Sequence, residues 1–291
     1  MLRWRITLGV LFSAIIFALC WADAQAPLPG AWLLPLVVVI TLLATNELSN
    51  MMAARSSVPL GLVTYAGNLA IVLAAGAAHW WPQVARDDWS WPALALAAAL
   101  IAVIAEEVWR YREPARQTER LAAAALALLY IGLLFSFAVQ LRFVEPVGGA
   151  GLGAIASLIL VVKLCDIGAY TVGRLMGRHK MAPHLSPGKT IEGAAGGLLF
   201  SVIGAWLTFV VIWPRWHGAT ARQIDAWQWL GFGITVGVAG MLGDLAESLL
   251  KRDLGRKDSS DWMPGFGGVL DLLDSILVAA PVAYVWWEYL L

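Results

Sequence analysis

Charge is what this sequence has least of. Only 14% of its 291 residues are Asp, Glu, Lys or Arg, while 60% are hydrophobic. A soluble domain is nearer half apolar and a quarter charged, so an ordinary soluble fold is excluded. Mean hydropathy is +0.72. Acidic and basic residues balance at 20 each, so bulk charge says nothing about partners, and no nucleic-acid partner is expected. Cysteine is also scarce. Cys20 and Cys165 both lie inside apolar runs, too few for a disulfide framework or a zinc site, and read as small core residues. The expected fold class is all-α, a polytopic integral membrane protein.

A membrane span needs about 20 mainly apolar residues. Nine stretches qualify as candidates: 6–22, 31–47, 60–79, 91–109, 121–140, 151–173, 193–213, 227–250 and 268–290. The first follows Arg3 and Arg5, and Ala22-Asp23-Ala24 resembles a signal-peptide cleavage site. Eight further spans favour an uncleaved first helix. Residues 1–145 read as a transmembrane scaffold and 146–291 as a transmembrane catalytic region.

Lys and Arg concentrate on cytoplasmic loops. With nine spans and a cytoplasmic N-terminus, fifteen of these residues fall inside and only Arg86, Arg142, Arg215 and Arg222 outside. That orientation predicts a multi-pass protein of the inner (cytoplasmic) membrane with its polar site on the cytoplasmic side. Glu47, Glu106 and Glu107 then stand at cytoplasmic helix ends, where interfacial solvation accounts for them. Trp80-Trp81, Trp89, Trp91, Trp213, Trp216 and Trp286-Trp287 would form an interfacial aromatic belt. The glycines from Gly148 to Gly153 follow no strand, so close helix packing is expected there rather than a dinucleotide fold.

Against that apolar background, residues 243–275 stand out with seven acidic and four basic side chains. Acidic groups at the edge of a hydrocarbon core are costly and mark functional sites. Asp244, Glu247, Ser248 and Lys251 recur at i, i+3, i+4 and i+7, one face of a helix. Asp271, Asp274 and Ser275 repeat the start of that pattern. Gly267 and Gly268 permit a tight turn before them. A helix beginning there aims N–H groups and its positive dipole end at an anion. Carboxylates from two helices suit a hard cation such as Mg²⁺. Lys251, Arg252, Arg256 and Lys257 suit phosphates. The alternative is a solvated loop without chemistry.

A second polar stretch begins near residue 160. Lys163 and Asp166 are spaced for an intrahelical ion pair, and Tyr170 and Arg174 follow. In Ser186-Pro-Gly-Lys189-Thr190 the leading glycine of a Walker motif is replaced by Pro183, so a true P-loop is excluded. A Pro-Gly turn presenting Lys189 and Thr190 remains able to grip phosphate. His179 and His184 read as interfacial polar groups rather than metal ligands.

Together the two stretches resemble the phosphatidate cytidylyltransferase (CDP-diacylglycerol synthase) family. Ser248, Lys251, Arg252, Lys257, Asp258, Ser260, Pro264, Gly267, Gly268, Asp271 and Asp274 match its signature in register, and residues 165–193 are similar to its upstream D-x-G-A-Y … S-P-G-K-T-x-E-G stretch. Phe266 stands where the family has histidine, and Leu272 where it has arginine. The resemblance implies cytidylyl transfer from CTP to phosphatidate, giving CDP-diacylglycerol and pyrophosphate. It also implies Mg²⁺ held by Asp244 and Asp271, with room for a second cation. Asp258 and Asp274 would support that cation, and Lys251, Arg252 and Lys257 would neutralise phosphates. Asp166, Ser186, Lys189, Thr190, Glu192, Ser248, Gly267 and Gly268 would contribute to substrate binding. A homodimer is also expected. A transporter, another CTP-using lipid enzyme and an inactive or divergent paralogue acting on another lipid phosphate stay open as alternatives.

Overall fold

The computed structural model describes residues 14–56, 60–81, 90–113, 116–144, 150–217, 223–260, 262 and 267–291. Arg3, Arg5, Arg86, Trp89, Gly148, Gly149, Arg222, Pro264 and Phe266 lie outside them. The helices are α1 (Ala14–Ala24), α2 (Leu34–Ser56), α3 (Leu62–Ala74), α4 (Ala77–Trp80), α5 (Ser90–Arg110), α6 (Gln117–Ala127), α7 (Leu134–Gln140), α8 (Ala150–Met176), α9 (Ile191–Trp206), α10 (Trp213–His217), α11 (Ala226–Asp253) and α12 (Val269–Val285). Among the described residues the exception to the all-α expectation is a two-stranded antiparallel hairpin, β1 (Lys180–Ala182) and β2 (Ser186–Thr190).

Among the described residues, seven helices are long and apolar enough to span a membrane. α6 and α7 form one such helix through a π-helical turn at Leu128–Leu133, and α9 and α10 another through Leu207–Ile212. Of the first expected span, 6–22, the described part is helical within Ala14–Ala24, and the third corresponds to a shorter apolar helix, Leu62–Ala74. Thirteen residues make a helix of only about 20 Å. α3 ends in a turn at Ala75 and Gly76, and a β-carbon on Gly76 would press against the Trp80 ring at 2.7 Å.

The chain divides into two compact units. The first comprises 1–143 and 253–273. In it Gly67 of α3 lets Ala99 of α5 and Leu128 approach, and Asn68 Nδ2 donates to Thr45 Oγ1 of α2 at 2.9 Å. Asp23, fully buried at its side chain, accepts from Arg142 Nε at 2.6 Å and from the backbone N–H groups of Gly30 and Trp32. A buried carboxylate with that many donors is satisfied without water.

The second unit comprises 144–252 and 274–291. Its α8 and α9 lie nearly backbone to backbone. Gly193, Gly196, Gly197 and Gly204 line one side of α9, and a β-carbon at Gly196 would strike the Val172 side chain. Small residues at such a seam are how apolar helices associate closely. Gly153 serves α8 in the same way, its β-carbon position lying 2.5 Å from the Trp213 ring.

Two expectations need correction. Trp213, Trp286 and Trp287 are buried. Trp287 packs with Phe209 at 5.6 Å and with Trp213 at 5.2 Å, and Trp286 with Phe232 at 6.5 Å, so these rings stack inside the unit. Solvation does not account for Glu47, and it accounts only in part for Glu106 and Glu107. Glu106 pairs with Arg110 at 2.9 Å and Glu107 with Arg120 at 2.8 Å, while Glu47 is buried among hydrogen-bond donors.

Gly196→Leu drives a side chain into Val172 and is expected to destabilise the second unit by about 1–3 kcal/mol. Thermal unfolding in detergent checks this, and an unchanged midpoint would contradict the close seam.

Candidate functional site

The second unit contains a cleft of about 380 Å³, a volume suited to a small-molecule ligand. Asp166, Ala169 and Tyr170 of α8 form one wall at i, i+3 and i+4 spacing. Ser186, Gly188, Lys189 and Thr190 of β2 form a second, the start of α9 a third, and Met241 and Asp244 of α11 a fourth. Lys189 reaches across the cleft, its Nζ 2.7 Å from Asp244 Oδ2. Lys163 pairs with Asp166 at 3.2 Å, as the spacing predicted.

Ser186-Pro-Gly-Lys-Thr190 is strand, not turn: the turn is Pro183-His184-Leu185. Strand geometry carries the Lys189 side chain toward α11. Thr190 then caps α9, its Oγ1 accepting from Gly193 N at 3.1 Å. The positive end of the α9 dipole therefore stands beside the ammonium of Lys189, and the two together favour an anion. No atom lies within 4 Å of a β-carbon placed on Gly188, so the backbone there is open to a ligand.

Other predicted residues hold this framework rather than lining it. Glu192 lies outside the cleft wall. Its carboxylate accepts from the N–H groups of Arg178 and His179 at 3.0 and 3.2 Å and meets His179 Nδ1 at 2.5 Å, clasping the chain ahead of β1 to α9. Arg252 Nε donates to Leu185 O at 3.3 Å and fastens the hairpin turn to α11. Lys251 pairs with Glu247, which is fully buried, at 2.6 Å. Ser248 is half-buried on α11 and does not line the cleft. Gly243 lets α11 approach the Asp274 carbonyl and Ser275 of α12, where a β-carbon would clash. Asp274, buried there, lies within electrostatic range of Asp244.

The remaining predicted residues belong to the first unit. Lys257 and Asp258 are exposed on the loop after α11. Gly267 adopts φ +81°, a conformation that favours glycine, and leads into α12. Asp271 Oδ2 accepts from Gly268 N at 2.8 Å, Ser259 N at 2.9 Å and Ser259 Oγ at 2.5 Å. Glu47 Oε1 accepts from Trp262 Nε1 at 2.8 Å and Val269 N at 2.9 Å. Its Oε2 accepts from Leu270 N at 2.8 Å and lies 3.1 Å from Ser259 Oγ. Sequence reading missed Glu47. The available signal was that no cation stands three or four residues from it, so no partner on its own helix could neutralise it.

A model of the cytidylyltransferase family matches residues 3–290, nearly the whole chain. The chain belongs to the cytidylyltransferase family. It is 34% identical over 247 residues to a phosphatidate cytidylyltransferase of Staphylococcus aureus (strain COL), covering 84% of this chain and 85% of that protein. It is 33% identical over 256 residues to the protein of that name from Staphylococcus haemolyticus (strain JCSC1435), covering 87% and 88%. A Staphylococcus saprophyticus relative of the same name is 32% identical over 245 residues. The matched region takes in the hairpin, α11 and the start of α12, so membership of the cytidylyltransferases extends over both units.

Removing the Glu192 clasp should free the hairpin. Glu192→Ala is expected to speed tryptic cleavage after Arg178 and Lys180 by roughly tenfold, because local opening becomes easier. An unchanged cleavage rate would contradict the clasp.

Proposed function

We infer that this chain transfers a cytidylyl group from CTP to phosphatidate, giving CDP-diacylglycerol and pyrophosphate. Family membership supports the reaction class. The observation that carries the reading is the cleft in which Lys189, the α9 N-terminus and Asp244 face one another. Cation, helix dipole and carboxylate are the groups that handling a triphosphate requires.

An oxygen of the lipid phosphate attacks the α-phosphorus of CTP. The new P–O bond forms as the bond to the β-phosphate oxygen breaks, and the electron pair leaves with pyrophosphate. A phosphate monoester has a second pKa near ~6, so the nucleophile is largely dianionic at neutral pH and needs no strong base. A Phe at 266 is therefore compatible with the reaction. Repulsion between anions is the main obstacle. Lys189 offsets it directly, and Thr190 and Gly193 keep the positive helix end at the same place. Arg252, which fastens the hairpin turn to α11 in the same unit, adds positive charge there. Asp166 holds Lys163 in the same wall.

Carboxylate oxygens are the donors a hard cation needs, and Mg²⁺ typically takes only one or two from protein and the rest from water and substrate phosphate. Asp244, with its side chain 38% exposed at the cleft, fits that demand. Asp244 and Asp271 are each proposed as ligands of Mg²⁺, which when bound supplies charge that stabilises the departing pyrophosphate. We place the site on the cytoplasmic face because the Lys and Arg loop asymmetry favours that orientation.

CTP labelled at the α-phosphate, supplied with phosphatidate vesicles and Mg²⁺, is expected to label the lipid, and chelator is expected to stop it. Label entering lipid from the γ-phosphate instead would identify a kinase and overturn the reading. Lys189→Met is expected to lower kcat/KM about 100-fold, the cost of removing one preorganised charge-stabilising donor. Full activity in that variant would remove Lys189 from the reaction.

A further inference from the structure

Glu47 is a carboxylate 3% exposed, the one acidic residue of α2, with no Lys or Arg paired to it among the described residues. A buried charge of this kind persists only where donors replace water. Its donors come from Trp262 Nε1, the amides of Val269 and Leu270, and Ser259 Oγ. The two amides are the first of α12, so the helix dipole offsets part of the charge. A merely structural cap would need only those amides. Glu47 also reaches the hydroxyl that holds Asp271.

Ser259 Oγ lies 3.1 Å from Glu47 Oε2 and 2.5 Å from Asp271 Oδ2. A hydroxyl carries one proton, so a single donor serves two carboxylates and couples them. Glu47 thus fixes the frame on both sides of Asp271: the Ser259 hydroxyl on one side, and the α12 amides next to it on the other. Gly268 sits between them, and a β-carbon there would collide with both Ser259 Oγ and Glu47 Oε2. Space, hydrogen bonds and helix geometry converge on one carboxylate orientation.

We propose that Glu47, acting through Ser259 and the first amides of α12, is a positioning residue that sets the Asp271 carboxylate for cation binding. The proposal rests on the reading in which Asp271 is a Mg²⁺ ligand. Orientation matters because a carboxylate must sit within a few tenths of an ångström of its place to serve a metal that demands near-octahedral geometry.

The test uses the purified full chain with Glu47→Gln, Ser259→Ala, Asp271→Asn and, as a control, Glu106→Gln. Mg²⁺ activation of turnover and Mn²⁺ binding by electron paramagnetic resonance are measured for each. Glu47→Gln and Ser259→Ala are expected to raise both the Mg²⁺ activation constant and the Mn²⁺ Kd about tenfold, leaving the KM for CTP within about twofold. Glu106→Gln should move neither. Unchanged metal constants in folded Glu47→Gln and Ser259→Ala, with turnover lost in Asp271→Asn, would overturn the positioning role while sparing the reading beneath it. Wild-type turnover and Mn²⁺ affinity in Asp271→Asn would remove Asp271 from cation binding and the proposal with it. Should Glu47→Gln fail to fold, Ser259→Ala decides alone, since it leaves the Trp262 and backbone bonds to Glu47 in place.

Discussion

An ammonium and a carboxylate 2.7 Å apart, Lys189 on a short strand and Asp244 on a long apolar helix, are the contact on which the second unit turns. Neither charge tolerates an apolar setting alone, and their attraction grows as water is excluded. Bringing them together requires the hairpin to be held at a fixed height against α11. Glu192 grips one end of it and Arg252 the turn. The glycine side of α9 allows α8 to lie close enough to complete the wall with Asp166 and Tyr170. Packing and polar chemistry serve one purpose here: a partly open ion pair beside a helix N-terminus.

The first unit solves a related problem with different parts. Glu47 has no cation, so its charge is distributed over an indole N–H, a hydroxyl and two helix amides. That arrangement orders the turn at Gly267 and Gly268 and gives Asp271 its three donors on one oxygen. A carboxylate so held is preorganised, which is what the proposed cation role of Asp271 would require.

Much of this was legible in the sequence. Composition gives the membrane class, and the seven long apolar helices among the described residues lie where hydropathy puts them. Asp166, Ser186, Lys189, Thr190 and Asp244, separated by up to 78 positions in the chain, line one cleft, while Glu192, Ser248, Gly267 and Gly268 do not. Local spacing also gives the Lys163–Asp166 pair, because i+3 neighbours share a helix face, whereas Lys251, read as a phosphate contact, pairs with Glu247. What was not legible depends on distant partners. Pro-Gly in Ser186–Thr190 reads as a turn, yet pairing with Lys180–Ala182 makes it strand. Glu47 reads as an interfacial acid because its donors lie more than two hundred residues away. Trp286 and Trp287 read as a belt because periodicity does not reveal that their neighbours are Phe209, Trp213 and Phe232.

The central claim is that the Lys189–Asp244 cleft receives the triphosphate. An experimental structure of the protein in lipid nanodiscs with a non-reactive CTP analogue tests it most directly. The account predicts phosphate oxygens within hydrogen-bond reach of Lys189 Nζ and of the backbone at Gly188, with Asp244 turned from the lysine toward a cation. Nucleotide bound elsewhere, with the ion pair intact and the cleft empty, would contradict it.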